Sequence, residues 1–445
     1  MSSPIAIAVS APGKVFLAGG YLVLDREYIA LVFALSARIN VVAREIRTSP
    51  GVQLSEIVVD SPQFLKAQWR FGYHLAPDDG GFKLTQLQSG GCIDPNPFVE
   101  VTLSYALTYI AGKAFRRASH AFKPAQFTIL ADNDYYSQPH SGTGTQQNPT
   151  RFAKFPTTLK DANKTGLGSS AALVTSLTAA LLTHYLPASD FDIATAEGKR
   201  TLHNLAQAAH CAAQGKVGSG FDIATAVYGS CLYRRFSPDI LKRIPEAGTP
   251  GFAPALTELI DGTKWDTEIS KDNAKVPSGI ALRMCDVDCG SQTVGMVKKV
   301  LQWRESNPED AKKLWDTLQA RNVRLGTILS EGRLDEIRSA TADIRELIRS
   351  MGSQSGVPIE PESQTELLDA LMGVEGVYNG VVPGAGGFDA VALLMKDDEA
   401  TERRVKEFVA KWSQEKGAQV RLLDVKGEME GVRRESINDY DGWIL

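Results

Sequence analysis

Ile5, Ile7 and Val9 alternate with small residues near the start of the chain, a period of two that predicts a strand. Ala11-Pro12-Gly13 interrupts that pattern. Further β-type runs follow at 29–35, 39–46 and 52–59, so the chain opens as strands and turns with antiparallel pairing expected. Phe98, Val101, Tyr105, Thr108 and Tyr109 then step by three and four, which predicts a helix over 97–114, and 127–131 reads as a short strand. Residues 137–165 hold few apolar positions among Ser, Gly, Thr, Gln, Asn and Pro, and are expected to form a mobile surface loop.

A helix opens at the end of 164–170, where Leu173, Leu177 and Leu181 form a core stripe at i+4 spacing. Over 201–214, Leu202, Leu205, Ala206 and Ala209 mark one helix face, and His203, Gln207, His210 and Gln214 mark another. That neutral polar face is either solvated or the wall of a site. Residues 237–277 are rich in Pro, Gly and Thr, as a linker or an excursion would be. From Ser278 a second unit starts. Ile280, Leu282 and Met284 alternate as a strand, long amphipathic helices follow, and 380–395 and 420–425 supply late strands. The expected organisation is an N-terminal domain over 1–237, a linker over 238–277 and a C-terminal domain over 278–445.

Length and composition narrow the classes. A chain of 445 residues is long enough for two or three domains. Its 43% hydrophobic and 22% charged content argues against wholesale disorder. The net charge of -4 gives no bulk-charge support for nucleic-acid binding. No apolar run reaches the ~18 residues of a membrane span, and the N-terminus lacks the basic and apolar regions of a secretory signal. Five cysteines without a C-x-x-C pair read as reduced thiols in a cytoplasmic protein. Cys285 and Cys289 lie four apart with no nearby histidine to complete a zinc set.

Four glycine-rich stretches carry the candidate chemistry: Ala11-Pro12-Gly13-Lys14, Gly166-Leu167-Gly168-Ser169-Ser170-Ala171-Ala172, Gly218-Ser219-Gly220-Phe221-Asp222, and Pro383-Gly384-Ala385-Gly386-Gly387-Phe388-Asp389. The second is the most telling. Its glycines let backbone N–H groups approach an anion, and a helix starting there aims its positive end at that anion. Ser169 and Ser170 are able to cap the helix or to donate a hydroxyl oxygen to a metal ion. No Walker A loop, protein-kinase signature or Rossmann fingerprint is present.

Three of these stretches together resemble the GHMP kinases, whose N-terminal Pro-Gly-Lys, central Gly-Leu-Gly-Ser-Ser-Ala-Ala and C-terminal glycine motifs occur here in the same order. The resemblance implies an α+β fold, with an N-terminal ribosomal-protein-S5-like domain containing a left-handed βαβ unit and a C-terminal ferredoxin-like domain. It implies ATP and Mg²⁺ as cofactors and a small-molecule acceptor, with no nucleic-acid or membrane partner; it is silent on oligomeric state. Within the family, the stretches 18–24, 214–222, 290–293 and 383–389 are most similar to the branch that converts 5-phosphomevalonate to 5-diphosphomevalonate, a step of isoprenoid synthesis. Relatives acting on mevalonate or galactose usually carry Gly-Glu-His where this chain has Gly19-Gly20-Tyr21. The alternatives are a kinase for another small alcohol, such as mevalonate, and a non-catalytic nucleotide sensor.

By this resemblance, Gly166, Leu167, Gly168, Ser169, Ser170 and Ala171 bind the ATP phosphates, and Ser169 or Ser170 contacts Mg²⁺. Lys14 and Asp222 are the catalytic pair. The family's usual metal-binding glutamate is replaced by Cys211. A phosphate-monoester acceptor is largely dianionic near neutral pH, so Asp222 is expected to orient Lys14 or the acceptor, or to bind metal, rather than act as an obligate base. Gly19, Tyr21, His210, Gln214, Lys216, Ser219, Ser291, Thr293, Gly386 and Gly387 are the acceptor-side candidates. Asn96, Asp132 and Asn133 are the adenine candidates.

Overall fold

The computed structural model describes residues 6–49, 55–87, 94–114, 122–137, 151–272, 274–288 and 295–444. Strand β1 (Ile7–Ala18) pairs antiparallel with the long β2 (Ala30–Glu45). The Pro12-Gly13 break does not end β1. It appears as a register shift between Pro12 and Lys14, because proline cannot donate to the ladder and the extra residue is absorbed as a bulge. The two runs at 29–35 and 39–46 belong to one continuous strand, interrupted on its buried course only by the exposed Ser36, with Glu45 exposed at its end.

β3 (Glu56–Asp60), β4 (Gln68–Leu75) and β5 (Phe82–Leu87) extend the sheet, and helix α1 (Pro97–Ala114) follows. β6 (Ala125–Ala131) joins β2 antiparallel and β3 parallel. Helices α2 (Ser169–Tyr185), α3 (Ala196–Gln214) and α4 (Phe221–Tyr228) then pack together, with α2 also against β1 and β2. Leu177 and Leu181 are fully buried, as their i+4 stripe predicts, and such burial stabilises by about 1.5–3 kcal/mol per side chain.

β7 (Cys231–Arg234), α5 (Phe252–Thr257) and β8 (Glu268–Ser270) bring 238–277 back onto this body, where β8 pairs with β7 and Phe252 and Ile260 are completely buried. Of the expected mobile loop, residues 138–150 lie outside the described residues. Residues 151–165 are packed: Phe155 stacks on Phe64 at 5.0 Å, and Phe152 is buried against Tyr440. Two aromatic anchors outweigh the polar composition of that stretch.

The second half runs β9 (Ile280–Asp288), α6 (Met296–Ser306), α7 (Pro308–Glu331), α8 (Leu334–Ser355), α9 (Glu362–Leu371), β10 (Val377–Val381), β11 (Ala390–Lys396), α10 (Glu399–Lys416), β12 (Gln419–Glu428) and β13 (Arg433–Glu435). On β11, Val391, Leu393 and Met395 face one apolar cluster with α9 and α10, while Ala392 and Leu394 face the main core. Both faces are covered, which is why this strand is apolar throughout rather than alternating. β12 pairs with β9 and, through Gly427 and Glu428, with β2, so one sheet runs in the order β10-β11-β9-β12-β2-β6-β3-β4-β5. The architecture is α+β, and β12 joins the two halves of that sheet.

Candidate active site

The centre of the site is a clasp between the β1 bulge and the second glycine loop. Gly166 and Gly168 have φ of 74° and 83°, a conformation that costs L side chains energy, and α2 starts directly after them. A side chain at position 168 would also meet the Lys14 stem, whose Cε lies 2.9 Å from a Cβ built there. The bulge turns the Lys14 N–H out of the ladder to donate to Leu167 O (2.9 Å), and the Lys14 ammonium donates to Gly166 O (3.2 Å). Lys14 is half-buried beneath the Phe221 ring. Burial pushes its ammonium below the ordinary lysine range, and the Asp222 carboxylate opposes that shift.

Asp222 sits in the first turn of α4, where its Oδ1 accepts from the Ile223 N–H (3.0 Å). His210, only 2% exposed, lies between the two loops. Its Nε2 is 3.2 Å from Ser170 Oγ and 3.2 Å from Gln214 Nε2, and its Nδ1 is 3.9 Å from Asp222 Oδ2. The polar face of α3 is therefore no solvated surface at His210; it contacts Ser170 of the phosphate-type loop and faces the aspartate. Gln207 uses its amide on Cys211 Sγ (3.2 Å), and burial pushes that thiol up, so Cys211 is no substitute for a carboxylate ligand.

The 215–220 loop is held from behind. Gly215 ends α3 in the left-handed conformation, and Tyr233 donates to Ser219 O (2.7 Å). Arg235, absent from the motif reading, donates to Val217 O, Gly218 O and, across the gap, Leu24 O. Lys216 is exposed. Tyr21, with φ of 52°, is buried, and its hydroxyl donates to Ala385 O (2.7 Å). Its hydroxyl thus braces the C-terminal glycine loop. Gly19 has φ of 94°, and any Cβ on Gly20 would overlap Gly384 O. Gly386 and Gly387 pack against Ile359, whose carbonyl accepts the Gly387 N–H (2.9 Å). Ser291 and Thr293 lie outside the described residues.

A cavity of about 230 Å³ reaches from Ser169 and Ser170 at the α2 N-terminus to a wall of Phe64, Trp69, Phe98 and Tyr136. Phe98 also stacks on His210 (5.7 Å), and Trp69 donates to Asp94 O (2.8 Å). Asn96 lines this slot while accepting from Val99 N–H in the first turn of α1. Asp132 and Asn133 do not line it: Asp132 accepts from Arg151 and the Arg38 N–H, and Asn133 accepts from the Ala153 N–H. The aromatic slot is not legible in the sequence because its aromatic walls come from three separate stretches of chain, around 64–69, 98 and 136. A flat apolar slot leading to a helix N-terminus fits a base with a phosphate chain.

A hard divalent cation takes oxygen ligands and keeps several waters. Ser169, Ser170 and Asp222 are oxygen donors of that kind. No group of three or more His, Cys, Asp or Glu able to hold a metal exists among the described residues, so phosphate oxygens and water must complete any shell.

Residues 155–230 match the profile of the GHMP kinases N terminal domain. The chain is 67% identical over 98% of both chains to a Gibberella zeae protein named phosphomevalonate kinase ERG8. It is 44% identical over 99% of both to the Aspergillus fumigatus phosphomevalonate kinase erg8. Among solved structures, the Streptococcus pneumoniae phosphomevalonate kinase in complex with phosphomevalonate and AMPPNP shares the fold, with a TM-score of 0.62 and 18% identity over 95% of this chain and 100% of that one.

Proposed function

The chain belongs to the GHMP kinases, and within them to the phosphomevalonate kinases; we propose that Lys14, Asp222 and the 166–171 loop carry the transfer of the ATP γ-phosphoryl group to 5-phosphomevalonate that this membership entails. The products are ADP and 5-diphosphomevalonate. Adenine occupies the slot between Phe98 and Trp69. The N–H groups at the start of α2 receive the phosphate chain, with Ser169 and Ser170 as the hydroxyls nearest to it.

Phosphoryl transfer depends on positioning and charge neutralisation more than on covalent help. Two anionic groups must approach each other here. Lys14 supplies a cation between them, held by the Gly166 carbonyl and desolvated enough for its charge to act strongly. The acceptor phosphate needs little deprotonation, because its second pKa is ~6. Asp222 therefore favours the charged form of Lys14, and His210 stands between it and the phosphate loop. Mg²⁺ neutralises phosphate charge when bound; Ser169, Ser170 and Asp222 are the residues that would hold it. The 384–388 loop, braced by Tyr21, closes the acceptor side together with the 215–220 loop. The buried, free thiols of Cys211, Cys231 and Cys285 among the described residues fit a reducing compartment such as the cytoplasm.

The observation that carries these roles is the single clasp joining Lys14 N–H, Lys14 Nζ, Leu167 O and Gly166 O. ADP release with ATP, Mg²⁺ and a panel of 5-phosphomevalonate, mevalonate, galactose and homoserine tests the function. Turnover with 5-phosphomevalonate alone is expected; turnover with mevalonate in its place would overturn the substrate assignment.

A further inference from the structure

Arg345 interrupts the apolar stripe of α8 formed by Ile337, Ile344 and Met351, yet it is only 3% exposed. Its guanidinium donates to both carboxylate oxygens of Glu360 (2.8–3.2 Å) and to Asp369 (2.8 Å). Glu360, whose side chain is 1% exposed, also accepts from Arg349 (2.9 Å) and Thr365 (3.0 Å). Removing two charges from water is costly, and a buried pair is often no more stabilising than apolar groups of the same volume. Its burial is therefore weak evidence for a purely stabilising role.

What the pair does is fix the turn between α8 and α9. Ile359, next to Glu360, presents its carbonyl to the Gly387 N–H (2.9 Å), and a side chain on Gly386 would overlap that carbonyl. In the first turn of α9, Gln364, 1% exposed, donates to Phe388 O (2.6 Å). The loop it grips has φ of 69°, 80° and 107° at Gly384, Gly386 and Gly387. Glycines leave such a loop little conformational preference, and its internal turn bond, Gly386 N–H to Pro383 O (3.1 Å), leaves the rest of its shape to outside contacts. Tyr21 grips it on the other side through Ala385 O.

We propose that the buried Arg345–Glu360 pair and Gln364 form a positioning device, which holds the 384–388 backbone against Tyr21 and so sets the acceptor side of the site. The catalytic consequence rests on the reading that this loop borders 5-phosphomevalonate; the structural consequence does not.

Two variants test it. Gln364→Met keeps the size and helix propensity of the side chain and removes the bond to Phe388 O. The double variant Arg345→Met/Glu360→Leu exchanges the buried pair for apolar groups, leaving Arg349 and Asp369 free to reach solvent. A misplacement of about 1 Å costs on the order of 100-fold in rate, so kcat/KM for 5-phosphomevalonate is expected to fall about 10- to 100-fold in each. ATP affinity, titrated without acceptor, stays at the wild-type value, and amide hydrogen exchange across 384–388 accelerates. A general loss of structure would weaken ATP binding as well. Wild-type exchange and wild-type kcat/KM in folded variants would overturn the proposal. If the double variant does not fold, Gln364→Met decides. If the wild-type protein does not turn over 5-phosphomevalonate, the functional reading has failed, and the exchange rates still decide whether these residues position the loop.

Discussion

Lys14 takes part in the site twice, through its amide to Leu167 O and its ammonium to Gly166 O. Replacing it by methionine keeps the first and removes the second. The expected loss is about 10²–10³-fold in kcat, with a smaller change in KM, read from steady-state kinetics. Asp222 raises a Lys14 pKa that burial lowers. Asp222→Asn removes the raising influence, so Lys14 loses its proton at lower pH, and the alkaline limb of the kcat profile moves to lower pH. The same variant is expected to cost about tenfold or less if Asp222 orients; a loss beyond ~10⁴-fold would make it an obligate base. The motifs in the sequence pointed to both residues. They gave no sign that His210 stands between Ser170 and Asp222, because a polar helix face reads alike whether water or another loop lies opposite it.

At the scale of elements, tight backbone approach decides the geometry. Gly20 lies so close to Gly384 O that a Cβ would overlap it. Gly20→Ala should therefore push the 19–24 turn away from the C-terminal glycine loop. The expected result is a raised KM for 5-phosphomevalonate with ATP affinity and helix content unchanged, checked by kinetics, titration and circular dichroism. Helix α1 was legible at both ends, with Pro97 at its start and its apolar steps running to Ala114. The β4–β5 hairpin was not read, although Trp69, Phe71 and Tyr73 alternate in the manner of a strand. Ala11-Pro12-Gly13 interrupts the alternation in the sequence, and the structure absorbs the interruption as a bulge. A local signal reports that the ladder is disturbed; whether the strand resumes depends on the partner strand being long enough to pair beyond it.

At the scale of the molecule, His203 is buried among Tyr228, Trp265 and Asn204, and burial lowers its pKa to about 4. The unfolded chain takes up a proton near pH 6.5 and the folded one does not until about pH 4. Stability from this group is complete above pH 6.5 and is lost as pH falls toward 4, by about 3 kcal/mol. The difference in unfolding free energy between wild type and His203→Gln, measured by denaturant titration across that window, should shrink as the pH falls. The returning β12 and β13 join both halves into one sheet. By itself the sequence determined the three glycine motifs, their order and the helix that follows the central one, since these depend on backbone freedom and short-range periodicity. Only the tertiary structure decided which distant loops touch: Tyr21 with Ala385, Arg235 with Leu24, His210 with Ser170, and the aromatic slot beside α2. Those contacts form between residues far apart in the chain, whose meeting is set by how the helices and the shared sheet pack.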